Sequence, residues 1–178
     1  MQVSDARLPV RAPSGWANLD EAGNFTLRLF PGWYQITTQS PGYFVTSVRS
    51  GTVDVLADGL TVGAAGAPEV KIQLTAGGGR IEGTVTNMEG LERAGVVLVR
   101  RHGPGIIATP TTTDAKGQFV VDNLAPGDYE LYAWPGTREV EYYNPTALQA
   151  ISSNMVRVSL REGGREQVSL KASVQEQP

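Results

Sequence analysis

The chain has no cysteine and a single histidine, His102, among its 178 residues. The first absence excludes disulfides, thiolate metal sites and a cysteine nucleophile. The second leaves the usual zinc sites short of ligands. A serine–histidine–aspartate arrangement would have to use His102, which lies in "RRHGPG", a loop context. No serine stands in a Gly-x-Ser-x-Gly elbow. "AGGGR" lacks the Lys-Ser/Thr of a phosphate-binding loop, and no carboxylate pair is singled out for glycoside hydrolysis. The chain reads as a non-enzyme without cofactor or metal.

Other shortages narrow the partners. No stretch approaches the roughly 18 apolar residues of a membrane helix, so this segment is not expected to insert into a membrane. "MQVSDARLPVR" has no apolar core of a signal peptide, so any export signal is expected outside this chain. Fifteen basic against eighteen acidic residues leave a net charge of -3, which gives no electrostatic ground for binding nucleic acid. Helical periodicity is scarce. The best candidate is "NPTALQAISSN", with Asn144 as N-cap and Pro145 at the first helical position.

What is abundant is turn residues and alternation. Twenty-one glycines and eleven prolines in a chain 40% apolar predict a globular protein of many short strands. In "NFTLRLF", Phe25, Leu27 and Leu29 share one face and Thr26 and Arg28 the other. "YQITT", "EVKIQL" and "YELYAW" alternate in the same way, and "VRVSL", "REGGRE" and "QVSL" read as strand, turn and strand of a hairpin. One-sided alternation belongs to antiparallel sheets with one wet face. The chain is predicted to be all-β.

One phrase is written twice. Asp20, Gly23, Phe25, Pro31, Gly32 and Tyr34 line up with Asp114, Gly117, Phe119, Pro126, Gly127 and Tyr129. The offset is 94 residues up to the phenylalanine and 95 after it, so the second copy holds one extra residue within "FVVDNL". Turn chemistry accounts for every shared residue. The aspartate accepts backbone N–H bonds as an Asx-turn, the glycine three residues on takes φ > 0, and Pro-Gly suits a type II turn before a core tyrosine. Calcium ligation by Asp20/Glu21 or by Asp114 would rest on one carboxylate per turn where the ion wants 6–8 oxygens.

The repeat sets the expected plan: a first domain over 1–76, a glycine linker at 77–79, a second domain over 80–174 and a tail at 175–178. By this register Met1 corresponds to Gly95, so the first copy has no counterpart of "RIEGTVTNMEGLERA" and is expected to lack its opening strand. The chain is accordingly expected to be cut from a longer protein, or to have the gap filled by another segment, the alternative being a degenerate first domain that is stable without that strand.

The segment "GTVTNMEGLERAGVVLVRR…TTTDAKGQFVVDNLAPGDYELYAW" resembles the carboxypeptidase regulatory-like domain family. The resemblance covers Arg80 to about Ala133, with "QVSLKA" as a closing strand. It implies two tandem Greek-key antiparallel β-sandwich modules of the transthyretin-like, prealbumin-like, carbohydrate-binding-like kind, the first lacking its opening strand. It also implies accessory modules of larger extracytoplasmic proteins (periplasmic, envelope or secreted), whose partners are neighbouring domains or another envelope protein. Related collagen-adhesin domains form Lys–Asn crosslinks, but the only lysines are Lys71, Lys116 and Lys171, and none lies in the second domain's opening strand.

Two readings of the aromatics stay open. Trp16, Trp33, Tyr43, Phe44, Tyr132, Trp134, Tyr142 and Tyr143 lie near strand ends or on the polar phase of the alternation. Exposed, they would form a stacking platform for a polysaccharide, with Trp33, Tyr43, Tyr132, Trp134, Tyr142 and Tyr143 as the binding residues. Covered, they would pack between domains, along a sandwich edge or against a neighbouring protein. Trp33 stands where Asp128 does, and Tyr132 where Thr37 does, so a binding role would lie in those differences.

Overall fold

All but one of the alternating runs become strands, and the chain falls into two compact units, Met1–Ala76 with Gly103–Gly105 and Gly77–His102 with Ile106–Pro178. The computed structural model describes residues 2–4, 15–37, 42–65, 69–88, 90–103, 105–137 and 140–173. The predicted tail at 175–178 lies outside the described residues.

The second unit is a Greek-key sandwich. Its strands are β8 (Gly79–Thr86), β9 (Ala94–His102), β10 (Gly105–Thr112), β11 (Gln118–Leu124), β12 (Gly127–Pro135), β13 (Val156–Leu160) and β14 (Arg165–Lys171). They form one sheet in the order β10-β9-β12-β13 and another in the order β11-β8-β14. β8 is central, antiparallel to β11 and parallel to β14. Inward phases of both sheets meet in one core that includes Ile81, Val85, Leu98, Phe119, Leu131 and Leu170, each at most 3% exposed. Gly83 has no room for a side chain, because a Cβ there would meet Val168 and the Phe119 ring. A glycine in mid-strand marks such a close approach.

Between β12 and β13 lies α1 (Pro145–Ala150), capped as the sequence predicts: the Asn144 side chain accepts from the Thr146 N–H at 3.0 Å, with Pro145 in the first turn. His102 is the last residue of β9 and half-buried, not a loop residue. The expected hairpin of "VRVSL" and "QVSL" is absent. β13 pairs with β12 and β14 with β8, so the turn around Gly163 (φ 60°) carries the chain from one sheet to the other. Gly79, expected in the linker, is the first residue of β8, and a Cβ there would lie 2.8 Å from the Leu160 side chain.

The first unit contains β1 (Gln2–Ser4), β2 (Gly15–Trp16), β3 (Gly32–Thr37), β4 (Tyr43–Ser50), β5 (Val53–Asp54), β6 (Leu60–Val62) and β7 (Val70–Ala76). The order β2-β1-β3-β6 repeats β10-β9-β12-β13 strand for strand. The other sheet differs: it is β5-β4-β7, where β4 and β5 form a hairpin between β3 and β6 with no counterpart strand in the second unit. No strand of the first unit corresponds to β8 among the described residues. "NFTLRLF", predicted as a strand, enters no ladder there either. A strand needs a neighbour for its backbone groups, and the neighbour of its counterpart β11 is β8.

Candidate functional site

The doubled phrase builds the same corner twice. Asp20 Oδ1 accepts from the N–H groups of Ala22 and Asn24 at 2.9 and 2.7 Å. Asp114 Oδ1 accepts from Lys116 and Gln118 at 2.9 and 2.8 Å. Gly23 and Gly117 follow at φ 82° and 76°. These bonds, that to the Asn24 N–H first, hold the Asp20 carboxyl below its ordinary pKa. At the far end, the Tyr34 hydroxyl donates to the Phe30 carbonyl at 2.9 Å and the Tyr129 hydroxyl to the Ala125 carbonyl at 2.6 Å. Pro126 and Gly127 sit where the chain passes from β11 to β12 in the opposite sheet. Gly127 is at φ 144°, not the roughly +80° of the predicted type II turn, because the bend crosses between sheets. Pro31 and Gly32 precede Tyr34 at the corresponding place in the first unit.

The extra residue of the second copy is a β-bulge. Register between β11 and β8 shifts between Val121 and Leu124, and Asn123 takes φ 59°. The bulge brings Asp122 to Arg80, whose Nη1 lies 3.2 Å from Oδ1 while its Nε donates to Glu82 at 2.8 Å. The first copy lacks the bulge residue, and no strand among its described residues corresponds to the one that β11 bulges against.

The structure distributes the aromatics differently from a stacking platform. Tyr132 and Trp134 are 6% and 4% exposed, in a second apolar cluster with Val97, Val99, Ala108 and Ile151. That cluster covers the outer face of β9 and β12, and Leu148 of α1 packs against it. The Trp134 ring lies directly over Gly95, where a Cβ would strike it. Tyr142 and Tyr143 pack against the same cluster, ring centroids 5.1 Å apart. Burial, with Glu130 as a lesser cause, pushes the Tyr132 hydroxyl up to about 12, and burial raises that of Tyr143 further. So four of the six candidates come together, but as core. In the first unit Trp33 is half-buried over Gly59, its indole N–H donating to the Asp58 carbonyl at 2.6 Å. Phe44 is buried, Tyr43 stands 48% exposed, and Trp16 pairs through its backbone with Gln2. Among the described residues, no three His, Asp or Glu side chains gather as a metal site.

Sequence reasoning missed a seam in the first unit. Phe25, Leu27 and Leu29 are only half-buried, whereas their counterparts Phe119, Val121 and Leu124 are at most 8% exposed. Val70, Ile72 and Leu74 of β7 are half-buried too; in β14 Val168 is likewise half-buried, but Leu170 and, just past the strand, Ala172 are 1% and 0% exposed. Phe30, in the place of Ala125, is 72% exposed. A buried acceptor, Gln35 Oε1, also lacks a hydrogen-bond partner among the described residues.

No protein-family model matches the chain, and no curated protein does. Among solved structures, the chain aligns over 96% of its length with a streptococcal ancillary pilin, at 13% identity and a TM-score of 0.35, covering 56% of that chain. It aligns over the same share with the Bacillus anthracis TIE protein, at 15% identity and a TM-score of 0.34, covering 30% of that chain. Similarity at this level transfers no function. The chain thus spans about half of the one and under a third of the other. The class rests on the chain's own architecture: a pair of β-sandwich units.

Proposed function

We propose that this chain is a non-catalytic scaffold: two tandem carboxypeptidase regulatory-like sandwiches serving as spacer, display and docking unit of a larger extracytoplasmic bacterial protein. One observation carries the reading. The only motif written twice serves the fold itself, since Asp20 and Asp114 close turns, Tyr34 and Tyr129 tie corners and Phe119 fills the core. Duplicated residues that serve the chain itself point to duplicated architecture. The extracytoplasmic placement follows from the resemblance of Arg80–Ala133 to that family.

Titration of the purified chain with a panel of soluble polysaccharides, followed by tryptophan fluorescence, tests the non-sugar part. An unchanged spectrum with every glycan is expected. A saturable shift lost in Trp33→Ala would replace the scaffold with a carbohydrate-binding module. Protease treatment of intact source cells tests the placement: digestion without lysis is expected of a surface-displayed unit.

A further inference from the structure

The seam has the shape of a missing strand, and the second unit shows what fills it. There β8 lies between β11 and β14. The first unit holds the β11 counterpart, residues 24–30, fixed at its ends by the Asp20 turn and the Tyr34–Phe30 bond. It also holds β7, the closing strand, as β14 is in the second unit.

The hairpin strand β4 pairs with β7, so the question is which edge of β7 it takes. The Val55 N–H donates to the Val48 carbonyl at 2.9 Å, so the backbone groups of Val48 face β5. Val48 stands directly opposite Ile72. Opposed residues of an antiparallel pair exchange both bonds or neither, so the N–H and C=O of Ile72 face away from β4. The neighbouring Gln73 carbonyl does face β4, where it accepts from the Thr46 hydroxyl at 3.1 Å. Val48 is 0% exposed, so Ile72, on the same face, points to the core.

Chirality completes the argument. Seen from the core with the strand running upward, every core-facing L-residue directs its N–H and C=O to the viewer's right. In β14's sheet the buried Ala172 donates to the Thr86 carbonyl at 2.9 Å, so β8 is on that right-hand side. The right-hand side of β7 is the edge that Ile72 faces, and β4 is on the left. The hairpin has therefore added to the opposite edge, and no described strand takes the β8 position.

We propose that the first unit accepts one added β-strand between residues 24–30 and β7, parallel to β7, supplied by a segment with the chemistry of β8. That segment alternates apolar and polar residues and carries glycine opposite Phe25, as Gly83 stands opposite Phe119. Its apolar phase covers Phe25, Leu27, Leu29, Ile72 and Leu74, and its backbone satisfies the facing groups of β7. This gives the proposed docking role a site and a partner chemistry, and it rests on that reading.

The test uses the full chain and a synthetic peptide of its own residues 78–87, GGRIEGTVTN. Amide exchange is followed by mass spectrometry with the peptide at millimolar concentration. The same segment is also fused ahead of Met1 as residues 77–94, which raises its effective concentration. Expected are slower exchange at 25–29 and 70–76, by at least about tenfold in the fusion, unchanged exchange at 118–124, and loss of the effect with Gly83→Val in the added segment. Unchanged exchange at both seam segments in peptide and fusion alike would overturn the proposal. So would protection that the Gly83→Val segment reproduces. Neither result alters the polysaccharide titration or the cell-surface digestion, which judge the scaffold reading separately.

Discussion

The two units share a phrase, a corner and a four-stranded sheet, yet they bury matched residues to different depths. In the second, Phe119, Val121 and Leu124 form the inner wall of a closed core. In the first, Phe25, Leu27 and Leu29 keep the same alternation and are half in water. The difference is the central strand, β8 in the second unit, which has no counterpart among the described residues of the first. Local sequence sets which residues face inward, but only a paired neighbour turns that phase into a ladder and a dry interior.

The largest expected effect sets matched phenylalanines against each other. Phe119→Ala removes a ring that is 3% exposed and is expected to destabilise the second unit by about 3–5 kcal/mol. Phe25→Ala, at a half-buried position, is expected to cost the first unit less than half as much. Urea unfolding checks both, with Trp134 reporting on the second unit and Trp33, in a Trp16→Phe background, on the first. Equal costs would mean the two cores are equally closed.

A smaller effect separates the units by pH. Burial pushes the Tyr129 hydroxyl, and chiefly burial the Tyr132 hydroxyl, up to about 12 from an ordinary 10. A raised folded-state pKa means the folded form holds its proton more tightly. The stabilisation is then complete below pH 10 and is lost as pH rises toward 12. The second unit is expected to lose stability across that window, read as a falling urea midpoint at Trp134. A flat midpoint would contradict the burial of both rings.

The smallest effect is a surface pair. Arg157 Nη2 lies 3.2 Å from Glu130 Oε1, and the arginine side chain is 75% exposed. Arg157→Ala is expected to change stability by about 0.5 kcal/mol or less, with the same unfolding assay as check.

How much of this was legible in the sequence follows from which interactions are local. The Asp turns and the Asn144 cap lie within a few positions of their partners, and the single extra residue that became the Asn123 bulge shows as a change of offset between the copies. That no strand among the described residues of the first unit matches β8 accords with the register of the two copies, which aligns Met1 with Gly95. Hairpins were misread because turn residues at 160–165 do not say whether the next strand joins the same sheet. The choice between the two readings of the aromatics was out of reach for a similar reason. Alternation put Tyr132 and Trp134 on the outer phase correctly, but the cover comes from Ile151 and the α1 segment, distant in sequence. The side of β7 taken by β4 was beyond reach, since it depends on a pairing across some twenty-five residues.

Hydrogen exchange of the unmodified chain tests the central claim most directly. An open strand position predicts that amides of residues 25–29 exchange close to the unprotected rate while those of 119–121 are retained orders of magnitude longer. It predicts the same contrast between Ile72, whose N–H faces the open edge, and Ala172, whose N–H is bonded to Thr86. Matched protection of the two segments, at the level of 119–121, would contradict it.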